Sequence, residues 1–147
     1  MYRLATIPAA MILGLAVAGP TNFDVAWAEN PAAESGKVVK EFLATWDARD
    51  LDAMMTFYAT DASVIMQEQQ PFKGTDQIRS LMQNFVDDFS KPGAVWDTYA
   101  VTAEGDAVHM LWRAETPETK FPFGANTFFV RGGKIAHHTI AFTAEAK

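Results

Sequence analysis

The 147-residue sequence predicts a single α+β domain, and two observations carry that reading. From Glu34 to Phe89 the apolar residues recur at steps of three and four, the spacing of amphipathic helices. From Val95 onward the period changes to two, and the alternating segments are divided by turn signals at Glu104-Gly105-Asp106 and Gly132-Gly133. Helices first and an antiparallel meander after them is the order of an α+β domain rather than of repeated βαβ units.

Each element has its own signal. Over Glu34–Arg49, Val38, Val39, Phe42, Leu43 and Trp46 mark one apolar helix face, opposite Lys37, Lys40, Glu41 and Asp47. Asp50 is placed to cap a short second helix that buries Leu51, Met54, Met55 and Tyr58. Ser63 to Met66 is a short β-branched run and reads as a strand. Gly74-Thr75-Asp76 signals a third helix: a loop glycine, a capping hydroxyl, and an acid where the helix dipole favours one. That helix buries Ile78, Leu81, Met82, Phe85 and Phe89, and Lys91-Pro92-Gly93 ends it. Four strands follow, over Val95–Ala103, Ala107–Glu115, Phe123–Arg131 and Lys134–Thr143. Thr116–Pro122, with two prolines, reads as a loop.

Composition narrows the function. A net charge of −6 and a pI near 4.9 argue against nucleic acid, which requires a basic face, and against an anionic membrane surface. The absence of cysteine excludes disulfides, a thiol nucleophile and thiolate metal ligands. The N-terminus points to export. Met1-Tyr2-Arg3 carries one positive charge, Leu4 to Ala18 is an uncharged apolar run of signal-peptide size, and Gly19-Pro20 breaks it. Ala26-Trp27-Ala28 offers small residues where a signal peptidase reads, so residues 1–28 are expected to be a cleaved leader; Ala16-Val17-Ala18 is an alternative site. The expected product is a periplasmic or secreted protein with a linker at 29–33 and a domain at 34–147, not membrane-bound after cleavage.

The stretch Phe42 to Val64, FLATWDARDLDAMMTFYATDASV, resembles the opening of the nuclear transport factor 2-like superfamily. Phe72-Lys73-Gly74-Thr75-Asp76-Gln77-Ile78 is similar to that family's approach to its third helix, and Gly105-Asp106-Ala107-Val108 and Gly132-Gly133-Lys134-Ile135 are similar to its sheet turns. The resemblance covers nearly all of residues 34–147. It implies a cone-shaped half-barrel, with three helices in the concave face of a curved, mainly antiparallel sheet. It also implies a pocket at the wide end and a dimer through the outer sheet face. The superfamily hosts isomerases, polyketide cyclases, hydrolases and non-catalytic binders, so the resemblance does not fix an activity.

The family's chemistry can be tested position by position. Steroid isomerases of this fold need an aspartate base, with a tyrosine and a neutral aspartic acid as oxyanion donors. The resemblance places Met66 at the base, Phe42 at the tyrosine, and Asn126 or Thr127 at the second donor, so all three ionisable groups are missing. The acid that SnoaL-like cyclases carry late in the last strand has no counterpart, since no aspartate follows Asp106 and the nearest positions are Ile140 to Thr143. For an Asp-Arg-Asp hydrolase group, Arg113 is available without matching aspartates. What remains is histidine. His137 and His138 are adjacent in a strand and face opposite ways. Alternation puts His138 with Ala136, Ile140 and Phe142 on the apolar side, making it the candidate acid–base residue, against the plainer reading of a satisfied polar group in a mixed cavity. Three histidines, two of them divergent, do not make a metal site, and no cofactor is expected.

The family's placement of its segments implies a pocket lined by Tyr58, Met66, Phe72, Trp112, Asn126 and His138. Asn126 either orients a ligand's polar group or serves as a strand-end asparagine bonded to backbone. Two functions stay open: an exported protein that binds a small apolar molecule or acts on it as a weak acid–base enzyme, and a dimeric assembly module with a packed cavity. Apolar residues on both faces of the sheet, Val108, Met110 and Trp112 against Leu111 and Phe128 and Val130 against Phe129, predict a homodimer.

Overall fold

Val38, Val39, Phe42 and Trp46 lie buried along one face of α1 (Glu34–Asp47) in the computed structural model, which describes residues 34–147. The expected leader and linker lie outside the described residues. Arg49 adopts a left-handed backbone (φ 56°) and turns the chain into α2 (Leu51–Met55), where the Asp50 carboxylate accepts from the Ala53 N–H as an N-cap. The Arg49 guanidinium stacks 4.3 Å over the Trp46 ring and donates to the carbonyls of Trp46 and Phe89, tying the end of α1 to the end of α3 (Gly74–Phe89).

The strands are β1 (Tyr58–Met66), β2 (Phe72–Lys73), β3 (Val95–Glu104), β4 (Ala107–Glu115), β5 (Thr119–Arg131) and β6 (Lys134–Ala146). They form one sheet in the order β2-β1-β6-β5-β4-β3, antiparallel except where β1 runs parallel to β6. The sheet is curved and unclosed, and the helices pack against its inner face, as in the expected cone. Val64, Ile78, Val108, Phe128 and Ile135 are fully buried between the layers.

Several local expectations are corrected. Tyr58 does not close a helix; it opens β1, which extends back from the Ser63 run and pairs Tyr58 with Ile135. The hydroxyl of Thr75 does not cap α3: the N-cap position is Lys73, whose N–H is held by the Gln77 side chain. Thr116–Pro122 is not a loop throughout, since β5 begins at Thr119 and pairs with the end of β6. Pro122, which has no N–H to give, falls where that register shifts between Lys120 and Phe123. The Gly132-Gly133 hairpin stands as expected, with φ of 55° and 73°, the mirror-image turn that matches strand twist. Just beyond it, pairing jumps from Val130↔Ile135 to Phe129↔His137, so Ala136 is an extra residue that reverses the alternation. Ile135 therefore faces inward with His138, although parity along the strand put them on opposite faces.

Candidate functional site

Four adjacent strands each send one polar side chain inward, and these form a single chain of hydrogen bonds. Trp112 of β4 donates its indole N–H to Asn126 Oδ1 of β5 at 2.9 Å. Asn126 Nδ2 lies 3.0 Å from His138 Nε2 of β6, and His138 Nδ1 lies 2.8 Å from the Tyr58 hydroxyl of β1. Register explains the path. Trp112 pairs with Gly124 and Asn126 with Ile140, so Trp112, Asn126 and His138 are successive diagonal neighbours on the inner face, whereas Tyr58 pairs with Ile135 across a register shift in β1 and reaches His138 from there. Asn126 is accordingly a mid-strand residue bonded to side chains, not a strand-end asparagine bonded to backbone.

The chemistry of the donors fixes the proton positions. An indole nitrogen only donates, so Asn126 must present its oxygen to Trp112 and its NH2 to His138. His138 Nε2 is then the acceptor, its Nδ1 carries the proton, and Tyr58 accepts from it. The remaining Tyr58 O–H proton is left for the Met82 sulfur, 4.0 Å away. Tyr58, Trp112, Asn126 and His138 are all buried. Burial pushes the His138 imidazolium down to about 3 and pushes the Tyr58 phenol up from its ordinary value, so both are neutral across the physiological range. The imidazole is stacked on Phe128 at 4.2 Å with Tyr58 on a parallel ring plane at 6.2 Å, and Phe42 meets it edge-on.

Gly124 makes room for this arrangement. A Cβ built there would lie 2.1 Å from Trp112 Cε2, so the indole occupies the space a side chain would take and reaches Asn126 two residues along the same strand. Trp96 stacks on the other side of the ring at 4.1 Å.

A cavity of about 40 Å³ lies between this polar chain and the helices, walled mainly by Trp46, Phe85, Trp96, Trp112, Asn126 and His138. Of the six residues expected to line a pocket, it gathers Trp112, Asn126 and His138. Met66 and Phe72 line a separate open groove of about 350 Å³ beside α3, and Tyr58 stands behind His138 as its hydrogen-bond partner. Phe85 is a wall of both spaces. Trp46 was legible as a buried helix position and Phe85, expected buried but only half-buried, as an inward one; their place on the cavity depends on how α1 and α3 cross the sheet. Arg113 faces outward and pairs with Asp97 at 2.8 Å, so it contributes to no interior Asp-Arg-Asp group. Among the described residues no three His, Asp or Glu side chains converge as a metal-binding group.

A family model described as the SnoaL-like domain matches residues 39–138. The chain belongs to that family. Solved structures share the fold of this SnoaL-like domain at low identity. SalBIII, an epoxide hydrolase/cyclase-like enzyme with a role in pyran ring formation in the polyether salinomycin, is 16% identical, with 75% of this chain and 91% of that one covered and a TM-score of 0.65. An NTF2-like protein of unknown function from Cytophaga hutchinsonii is 11% identical (74% and 89% covered, TM-score 0.62). An LEH-like epoxide hydrolase from M. tuberculosis is 17% identical (75% and 83% covered, TM-score 0.59). No curated protein matches the chain. These structural likenesses, all at 17% identity or lower, show a shared fold.

Proposed function

We propose that this SnoaL-like domain binds a small apolar molecule in the cavity beneath Asn126 and His138, and that it does so without acid–base catalysis. The observation that carries the reading is the closed polar chain. His138 Nε2 accepts from Asn126 and its Nδ1–H is taken by Tyr58, so neither nitrogen is free to move a substrate proton. The rest of the wall is aromatic and thioether surface, suited to an apolar guest. The cavity's 40 Å³ lies well below the ~300–1,000 Å³ of drug-sized sites, so a guest larger than a few atoms must displace adaptable side chains such as Met82 and Met110. Phe85, shared with the outer groove, supplies the route.

The same small volume favours a second reading, an assembly module with its interior packed shut. Calorimetric titration with toluene separates the two. Under the binding reading toluene binds with a millimolar or lower Kd, and Leu43→Phe, which fills the cavity wall, weakens it at least tenfold. Heat of dilution alone from the unsubstituted protein rejects the binding reading.

Export and dimerisation belong to the proposal. Expressed with its own leader in a Gram-negative host, the protein is expected in the periplasm with Glu29 at its N-terminus; recovery of cytoplasmic chain beginning at Met1 contradicts this. The outer sheet face exposes Ile65, Tyr99 and Phe123 with half-buried Leu111 and Phe129 between them, apolar area that a two-fold partner would cover. Sedimentation equilibrium at micromolar concentration is expected to give the mass of two chains, and the mass of one excludes the dimer.

A further inference from the structure

One buried donor is unaccounted for by the polar chain. Among the described residues, the Trp46 indole nitrogen is the single buried side-chain polar atom without a hydrogen-bond partner in the protein. Trp46 is only 7% exposed, and it is a wall of the 40 Å³ cavity. Its ring is held on several sides, by the Arg49 guanidinium at 4.3 Å and by Trp96 and Phe89 edge-on at 5.1 and 5.6 Å, so it cannot turn freely to find an acceptor elsewhere. Native proteins rarely leave a buried donor unpaired, because the lost hydration is not returned.

The other polar groups on the wall point to the same kind of partner. Asn126 Nδ2 carries two hydrogens, and His138 Nε2 takes one of them. Acceptors are scarcer: the lone pair of His138 Nε2 is taken by Asn126, and Asn126 Oδ1, which accepts from Trp112, keeps one lone pair. No charged side chain lines the cavity, so a carboxylate or ammonium would be buried without a counter-charge. An amine would bring more donors than that single Asn126 lone pair can take. Donors outnumber acceptors on this wall, with the Trp46 N–H wholly unpartnered, so it matches a molecule that accepts.

We infer that the ligand of this cavity is a neutral, largely apolar molecule carrying one aprotic acceptor oxygen, of ketone, ester or cyclic-ether type, and that Trp46 Nε1–H is the donor that holds it. The inference rests on the binding reading above and adds the ligand's chemical class.

The test compares cyclohexanone with methylenecyclohexane, nearly equal in shape and differing in the acceptor oxygen, on the full chain. Titration is followed by calorimetry and by the assigned Trp46 indole resonance in ¹⁵N-labelled protein. Cyclohexanone is expected to bind about tenfold tighter, the worth of one buried hydrogen bond, and to move that resonance downfield, whereas methylenecyclohexane does not. Trp46→Phe is expected to bring the two affinities together by weakening cyclohexanone alone. Equal binding of both probes without movement of the Trp46 resonance overturns the inference and leaves the binding reading standing. A cyclohexanone preference that survives Trp46→Phe also overturns it, since the oxygen would then sit on Asn126. Binding of neither probe overturns the inference, and the toluene titration then decides the binding reading separately. Should Trp46→Phe fail to fold, the resonance of the unsubstituted protein decides alone.

Discussion

Gly124→Ala is expected to destabilise the fold by about 3–5 kcal/mol, although adding one methyl group to a strand glycine of ordinary backbone conformation would by itself stabilise by about 0.4–1 kcal/mol. The sign reverses because the new Cβ falls inside the Trp112 ring: three ring carbons lie within 2.1–2.4 Å of its position. Trp112 is 2% exposed and has nowhere to retreat, with Trp96 stacked at 4.1 Å and Phe121 and Phe142 at 6.2 and 6.1 Å. Overpacking of this kind costs about 1–3 kcal/mol. Moving the indole also breaks its bond to Asn126 and leaves buried polar groups unpaired, about another 1–3 kcal/mol. Against a typical net stability of about 5–15 kcal/mol, that is a large fraction. Gly36→Ala is the control: its Cβ would meet Ala103 at an ordinary 3.8 Å within α1, so it should be neutral or stabilise by about 0.5 kcal/mol. The measurement is the urea midpoint at unchanged slope. In a Trp112→Leu background the Gly124→Ala penalty should largely vanish, because the clashing ring is gone. A Gly124→Ala loss below about 1 kcal/mol would mean that Trp112 can swing aside, and with it the polar chain.

The fold was readable because its cues are local. The three-and-four spacing of Val38, Phe42 and Trp46, the period of two from Val95, and the two glycine turns each report on a short window. The misreadings came where tertiary pairing overrode such windows. Tyr58 continues an apolar helical pattern, yet its partner Ile135 lies far along the chain. Pro122 punctuates a strand instead of ending a loop, because the register slips at its position. Ala136 adds one residue near the hairpin, and no sequence periodicity marks a bulge of that kind.

The site divides along the same line. His138 facing inward and Asn126 as the polar residue of an apolar strand could be seen from alternation. Their union with Trp112 and Tyr58 could not, since it needs the register of four strands at once. The glycine in Phe123-Gly124-Ala125-Asn126 is the signal that was available: a glycine on the buried face of a strand marks a place where another group comes close. No aspartate or glutamate is buried among the described residues. A hydrogen-bonded chain that is neutral throughout stands in the interior, and its energetics follow from that neutrality.

Replacing His138 with glutamine is expected to flatten the acid side of the stability curve. In the folded protein burial holds the imidazole down to about 3, while in the unfolded chain it titrates near its ordinary 6.5. Below pH ~6.5 the unfolded state therefore binds a proton that the native state refuses. Stability present above that pH is lost as pH falls toward 3, at up to about 1.4 kcal/mol per pH unit. Between pH 6.5 and 4 the His138 contribution comes to about 3 kcal/mol. Asp47 works in the opposite direction: desolvation, partly offset by Arg49, raises its carboxyl, so acid slightly favours the native form there. That term is common to both proteins and cancels in the difference. Glutamine offers an amide where the imidazole stood and cannot titrate. His138→Gln should thus be less stable than the unsubstituted protein at pH 8, where the better-fitting imidazole stack on Phe128 is intact, and the gap should narrow steadily on acidification. Urea denaturation of both proteins at half-unit steps from pH 8 to 4 supplies the curves. Parallel curves across that window would show that His138 takes up its proton in the folded state, which would restore it as an acid–base group and undo the case for a purely binding site.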